Sequence, residues 1–149
     1  MIQKSRRSIV NNEMKIGIIG SMQFSDQMVE VATKLKALGH EPMLSLFVES
    51  FLGKNAEEQE RIKLAQKNDE DAMRKDIEHL KQADAILVLN IEKHGMPGYI
   101  GGNAFLEMGM AHLNRQPIYL YNPIPEIPYY KTEIEAMRPT ILHGDLSKI

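Results

Sequence analysis

The segment Ala83-Asp84-Ala85-Ile86-Leu87-Val88-Leu89 constrains the fold more than any other, because its last five residues are all apolar. A strand with one wet face alternates apolar and polar residues. A strand buried on both faces reads as a continuous apolar run, and such strands sit in the middle of parallel sheets covered by helices on either side.

The remaining periodicity agrees with that placement. Lys15–Gly20 is a short apolar strand signal stopped by glycine. Gln27–Leu38 has Met28, Val31, Leu35 and Leu38 on one helical stripe, with Gly39 as its stop. Met43–Val48 reads as a second strand. Asn55–Gln82 is heavily charged yet carries Ile62, Ala65, Ala72, Met73, Ile77 and Leu80 at helical spacing, with a bend expected near Asn68. Its charges read as a solvated helical face. Phe105–Leu113 is a predicted helix, Ile118–Tyr121 a strand, Tyr130–Met137 a short helix and Thr140–Leu142 a last strand. Strands alternating with helices predict a single-domain, doubly wound α/β fold with a parallel sheet in the flavodoxin-like order 2-1-3-4-5. Residues 14–149 are assigned to this domain and 1–13 to a flexible leader. No repeat or linker divides the chain.

Composition removes several functions. The absence of cysteine excludes disulfides, thiol catalysis and thiolate metal sites. Eighteen basic residues against twenty acidic ones leave no broad field for a nucleic-acid polymer. His40, His79, His94, His112 and His143 form no pair at metal-ligand spacing, so no metal is expected. No apolar run approaches a membrane span, and no secretory signal is evident, so no membrane is expected and the expected location is cytoplasmic.

An open sheet of this order has a crevice where the crossovers from its first and third strands part. Gly20 and Ser21 fall at one side of it, offering backbone amides and a hydroxyl to a phosphate or sugar hydroxyl. Phe24, just beyond, is placed either to stack on a base or to pack inward. Asn90 opens the other side and begins a loop that is long for such a connection. Gly101 and Gly102 end that loop, and Asn103 is the expected N-cap of the helix that follows. Its amino end suits an anion or a sugar hydroxyl, the plainer alternative being a cap and nothing more.

Glu107 lies about a turn into this otherwise apolar helix, on the face shared by Asn103 and Ala111. A carboxylate there is costly to bury unless compensated. Nearness to the helix amino end predicts an ionised group, placed to serve as acid, base or nucleophile. Asp76 occupies the stripe of Met73, Ile77 and Leu80, where packing alone would call for an apolar residue. Two carboxylates can divide the work at a glycosidic bond. There is neither a GxxxxGK[ST] nor a GxGxxG motif. A flavin is disfavoured, because Gly20 to Asp26 lacks a phosphate loop rich in serine and threonine and the chain has no tryptophan. No cofactor is expected.

Three blocks, IGIIGSMQF (Ile16 to Phe24), DIEHLKQADAILVLN (Asp76 to Asn90) and GYIGGNAFLEMGMAHLNRQPIYLYN (Gly98 to Asn122), are similar to the nucleoside 2-deoxyribosyltransferase family and its nucleotide N-glycosidase relatives. The last block contains the Glu-x-Gly-x-Ala element as Glu107-Met108-Gly109-Met110-Ala111. The resemblance implies a 2′-deoxynucleoside or its 5′-monophosphate as substrate, and attack by Glu107 on the anomeric carbon to form a covalent sugar ester. It implies Asp76 at the departing base, Gly20 and Ser21 at the sugar's 5′ side, Asn103 assisting, and a homo-oligomer. The first block lacks the arginine that follows the serine in the hydrolases, and the Asn90–Asn103 loop lacks their serine-glycine feature; both weigh against a monophosphate. From the residues alone, a non-catalytic nucleoside- or nucleotide-binding module on the same fold is the competing expectation.

Overall fold

The computed structural model describes residues 13–69 and 71–149. The expected leader lies outside the described residues except for Glu13. Five parallel strands form one sheet in the order β2-β1-β3-β4-β5, as expected. They are β1 (Lys15–Ile19), β2 (Glu41–Met43), β3 (Ala85–Val88), β4 (Ile118–Leu120) and β5 (Thr140–Ile141). The helices are α1 (Ser25–Ala37), α2 (Val48–Phe51), α3 (Ala56–Asp69), α4 (Ala72–Leu80), α5 (Gly102–Leu113) and α6 (Lys131–Ala136).

β3 is central, and all four of its residues are buried. Its side chains divide by the two-residue period of a strand. Ile86 and Val88 enter a core with Met108 and Ala111 of α5 and Ile134 of α6, while Leu87 enters a second core with Met28, Val31 and Leu35 of α1. Leu87→Ala would leave a cavity between sheet and helix, a change that typically costs about 2–5 kcal/mol. Leu38, expected on the α1 stripe, is the C-cap instead and is exposed, because the chain turns there into Gly39.

The second strand departs from expectation. β2 spans Glu41–Met43 rather than Met43–Val48, and Val48 begins α2. The cause lies outside the strand. The Asp76 carboxylate accepts hydrogen bonds from the Ser45 hydroxyl and from the Leu46 amide (2.9 Å), which draws the chain away from the sheet. Pro42 is tolerated because β2 is an edge strand with a free side for a residue lacking an N–H.

The long charged segment forms two helices. Its break falls between α3 and α4, where Asp71 adopts a left-handed backbone with φ 52°, a little beyond Asn68. Asn55 starts α3 by accepting from the Glu58 amide at 2.9 Å. Among its described side chains only Gln66 is buried; Ile62 is half-buried and Ala65 exposed, so the expected apolar stripe does not reach the core through this helix. α3 is held by polar ties instead, Gln66 Nε2 to Ser50 Oγ (3.0 Å) and Gln59 Nε2 to the Phe51 carbonyl (3.2 Å). It packs against α2, α4 and the turn that follows β1.

Candidate functional site

A crevice of about 330 Å³ opens where β1 and β3 end. Gly20, Ser21 and Met22 form one side, Gly101, Gly102, Asn103 and Ala104 the other, and Ala56, Gln59, Glu60, Lys63 and Lys67 of α3 lie over it. Lys93 and Tyr99 enter from the loop between β3 and α5. Thus Gly20, Ser21, Gly101, Gly102 and Asn103 converge on one cavity although they come from two distant segments.

The loop is ordered by its ends. Asn90 is fully buried. Its Nδ2 donates to the carbonyls of Gly98 (3.3 Å), Asn122 (2.8 Å) and Pro123 (3.2 Å), and its Oδ1 accepts from the Asn122 amide at 2.9 Å. Asn90 therefore clamps the loop to the end of β4, and with every polar atom occupied it does not face the crevice as the sequence led us to expect. Gly98 has φ 67°, and a Cβ there would stand 2.6 Å from the Pro123 carbonyl oxygen, so only glycine passes this clamp. Tyr130 packs against the end of this loop, its hydroxyl donating to the Ile100 carbonyl (2.5 Å) and its ring stacking on Phe105 with centroids 4.3 Å apart. Tyr129 is exposed.

Phe24 is a second correction. It ends the turn after β1, its amide bonded to the Ser21 carbonyl at 2.9 Å, and its half-buried ring is outside the crevice lining. The tight turn keeps Ser21, Met22 and Gln23 on the crevice and leaves Phe24 off it.

Asn103 is a third. The N-cap of α5 is Gly101, whose carbonyl accepts the first helical bond from Phe105 N at 2.9 Å, so Asn103 is already inside the helix. Its amide is used along the helix face, Nδ2 donating to Glu107 Oε1 at 3.1 Å. A carboxyl group buried among Ala104, Met108 and Ala111 demands a donor more strongly than a helix start exposed to the crevice does.

Glu107 is 6% exposed and is not part of the crevice lining; Asn103 stands between it and the cavity. The ionised form that the helix amino end was expected to favour is opposed by burial. Burial, and after it the negative charge of Asp76, pushes its pKa up to about 8. Desolvation outweighs the helix dipole because the carboxyl lies on the core stripe of α5 rather than at its mouth. Asp76 is close enough to act on Glu107 electrostatically, but its own oxygens receive Ser45 and Leu46, and it too lies outside the crevice lining. The two carboxyl groups therefore interact through their charge, and neither lines the crevice.

Lys63, Lys67, Lys93, Gln59 and Tyr99 were not anticipated as site residues. Lys93 Nζ donates to Ser21 Oγ at 2.9 Å and lies 5.7 Å from the centroid of the Tyr99 ring. Burial, and then the positive charge of Lys63, lowers its pKa, with Glu60 opposing. Residues 56, 59, 60, 63 and 67 share one face of α3 at helical spacing, a signal visible in the sequence but indistinguishable there from a solvated face. Among the described residues there is no group of three or more metal-ligating side chains, and no helix is long and apolar enough to cross a membrane.

Sheet order, crossovers and crevice define a flavodoxin-like α/β protein with a small-molecule cavity at its topological switch point. Among solved structures, the chain is similar to a 2-deoxyribosyltransferase from the psychrotolerant bacterium Bacillus psychrosaccharolyticus, with a TM-score of 0.51 and 17% identity, covering 85% of this chain and 97% of that one. At that identity the relationship is distant and one of fold. No family model and no curated protein matches the chain.

Proposed function

We propose that the protein is an N-glycoside-cleaving or -transferring enzyme acting on a 2′-deoxynucleoside or its 5′-monophosphate, with Glu107 as nucleophile. The observation that carries this reading is the Asn103–Glu107 contact: a buried carboxyl of raised pKa, joined by a 3.1 Å hydrogen bond to a side chain that lines the crevice. A carboxyl kept in an apolar helix at the cost of its own ionisation is the kind of group that active sites retain. The fold-level similarity to a 2-deoxyribosyltransferase supports the same chemistry.

In the first step ionised Glu107 forms a bond from its carboxylate oxygen to C1′ as the C1′–N bond breaks. The electron pair stays on the base nitrogen, which takes a proton from water in the crevice; Asp76 acts only through its charge on Glu107. In the second step water or the N–H of another base attacks C1′, breaking the ester, returning the carboxylate and releasing the proton that balances the first step. A rotation of Asn103 from the wall opens Glu107 to the crevice for this attack. With a pKa of about 8, roughly one molecule in ten carries ionised Glu107 at pH 7 in the free protein.

A homo-oligomer is part of this reading. It is supported by Leu106 and Leu113, which are 55% and 86% exposed on the outer face of α5; light scattering of the purified chain tests it.

The activity test incubates the protein with each 2′-deoxynucleoside and each monophosphate, with and without a second free base, and follows base release by chromatography. Turnover lost in Glu107→Ala is expected. One observation favours a second reading, a non-catalytic nucleotide-binding module: Glu107 is separated from the crevice by Asn103. Ligand binding without base release in any combination would establish that module in place of the enzyme.

A further inference from the structure

We propose that the crevice selects a ligand bearing a phosphoryl group, held at one end by Lys63, Lys67 and Lys93 together with Ser21. This deepens the proposed function and rests on it for the nucleoside part of the ligand.

The first argument is charge. Three ammonium groups line one cavity, two from α3 and one from the loop after β3, and among the described residues its lining contains a single carboxylate, Glu60. Glu60 reaches Lys63 only as a loose, solvent-exposed pair at 3.8 Å, which contributes little. Among the described lining residues two positive charges are left over, in a chain whose formal net charge is −2, so the excess is local. A phosphomonoester carries about −1.5 to −2 at neutral pH and matches that excess.

The second argument is how Lys93 is held. Its ammonium donates not to a carboxylate but to the Ser21 hydroxyl, and it is further confined beside the Tyr99 ring. Lys63 lies near enough for its charge to oppose protonation of Lys93. Like charges brought together over a cavity, one of them fixed by neutral partners, are stabilised by an anion placed among them. Ser21 Oγ accepts from both Lys93 Nζ and Gln23 N, which leaves its own proton to donate to a phosphoryl oxygen.

The third argument is position. The Gly101–Asn103 wall belongs to the same cavity, so a ligand anchored by a phosphoryl group at the lysines would lay its remaining part along the wall that covers Glu107. The absence of an arginine after Ser21 therefore does not leave the crevice without positive charge.

The test is calorimetric titration of the full chain with the four 2′-deoxynucleosides and, separately, their 5′-monophosphates, at low salt and at about 0.5 M salt, where the Debye length falls to a few ångströms. The same titrations use a Lys63→Gln/Lys67→Gln variant, whose altered side chains lie on a largely solvated helix. The preferred monophosphate is expected to bind at least about tenfold more tightly than its nucleoside. That advantage should shrink to about twofold or less in the variant and at high salt. Equal binding of nucleoside and monophosphate, an advantage untouched by the variant, or binding of neither overturns the proposal. The readout is independent of turnover. Monophosphate bound through the lysines but never cleaved removes the glycosidase reading and keeps this one; equal cleavage of both forms, unaffected by the lysine changes, does the reverse.

Discussion

Asn103 Nδ2 donates to Glu107 Oε1 at 3.1 Å across one turn of α5, tying a side chain of the crevice wall to a carboxyl in the core. A hydrogen bond from a neutral donor favours the ionised form of the acceptor, so Asn103 restrains a pKa that burial drives upward. The two residues lie four apart on a helix, the spacing at which side chains meet.

Asn103→Leu removes that restraint while keeping a side chain between Glu107 and the crevice. The ionisation of Glu107 is expected to move above about 8. If Glu107 attacks as a carboxylate, kcat/KM rises with pH up to that ionisation, and in the variant its rising limb shifts to higher pH. A pH–rate profile of both proteins checks this; a limb that stays in place rules Asn103 out as a positioning residue for Glu107.

Asp76→Asn should act in the opposite direction. Removing the negative charge that helps raise Glu107 lowers its pKa, so the rising limb moves to lower pH. The amide can accept only one of the two bonds now made by Ser45 and Leu46, and stability should fall by about 1 kcal/mol. The same profile together with urea denaturation separates the two effects.

Glu107→Gln tests the burial cost directly. The folded pKa of about 8 lies above the ordinary carboxylate value of 4.5, so the native state holds its proton where the unfolded chain has lost it. Stability should therefore be greatest below pH 4.5 as far as this group is concerned, and fall as pH rises toward 8, by up to about 5 kcal/mol. Glutamine has no such dependence. Urea unfolding at pH 6 and pH 9 should show the wild-type midpoint dropping relative to the variant; parallel behaviour would mean that the carboxyl is ionised at both.

Asn90→Ala is expected to cost about 3 kcal/mol, because it strips partners from the buried Gly98 carbonyl and from the part-buried Asn122 carbonyl and amide at once. Hydrogen exchange should quicken across the Asn90–Asn103 loop. Loss of stability without faster exchange in the loop would contradict its role as the clamp.

Much of the architecture was legible because it follows from local apolar pattern. The unbroken run at Ile86–Leu89 could be buried only between two layers, and its neighbours supplied alternating strands and amphipathic helices that allow few topologies. Where that pattern was weak the reading failed. Leu44 to Val48 looked extended, but Asp76, thirty residues away, captures Ser45 and Leu46. Gly20, Ser21, Gly101, Gly102 and Asn103 were legible as crevice residues because strand ends and helix starts have known places in this topology. Phe24 and Asn90 were misplaced because their direction depends on a turn and on partners such as Asn122.

The amino-acid order by itself determined the sheet, its strand order and the edge at which a ligand would enter, since apolar burial is additive and locally encoded. Only the tertiary structure decided that Glu107 is buried behind Asn103, where its pKa is pushed up, rather than set at a helix mouth, and that Lys63, Lys67 and Lys93 gather over one cavity. The physical reason is that ionisation and charge clustering depend on distances and dielectric between residues far apart in sequence, and no periodicity carries that information.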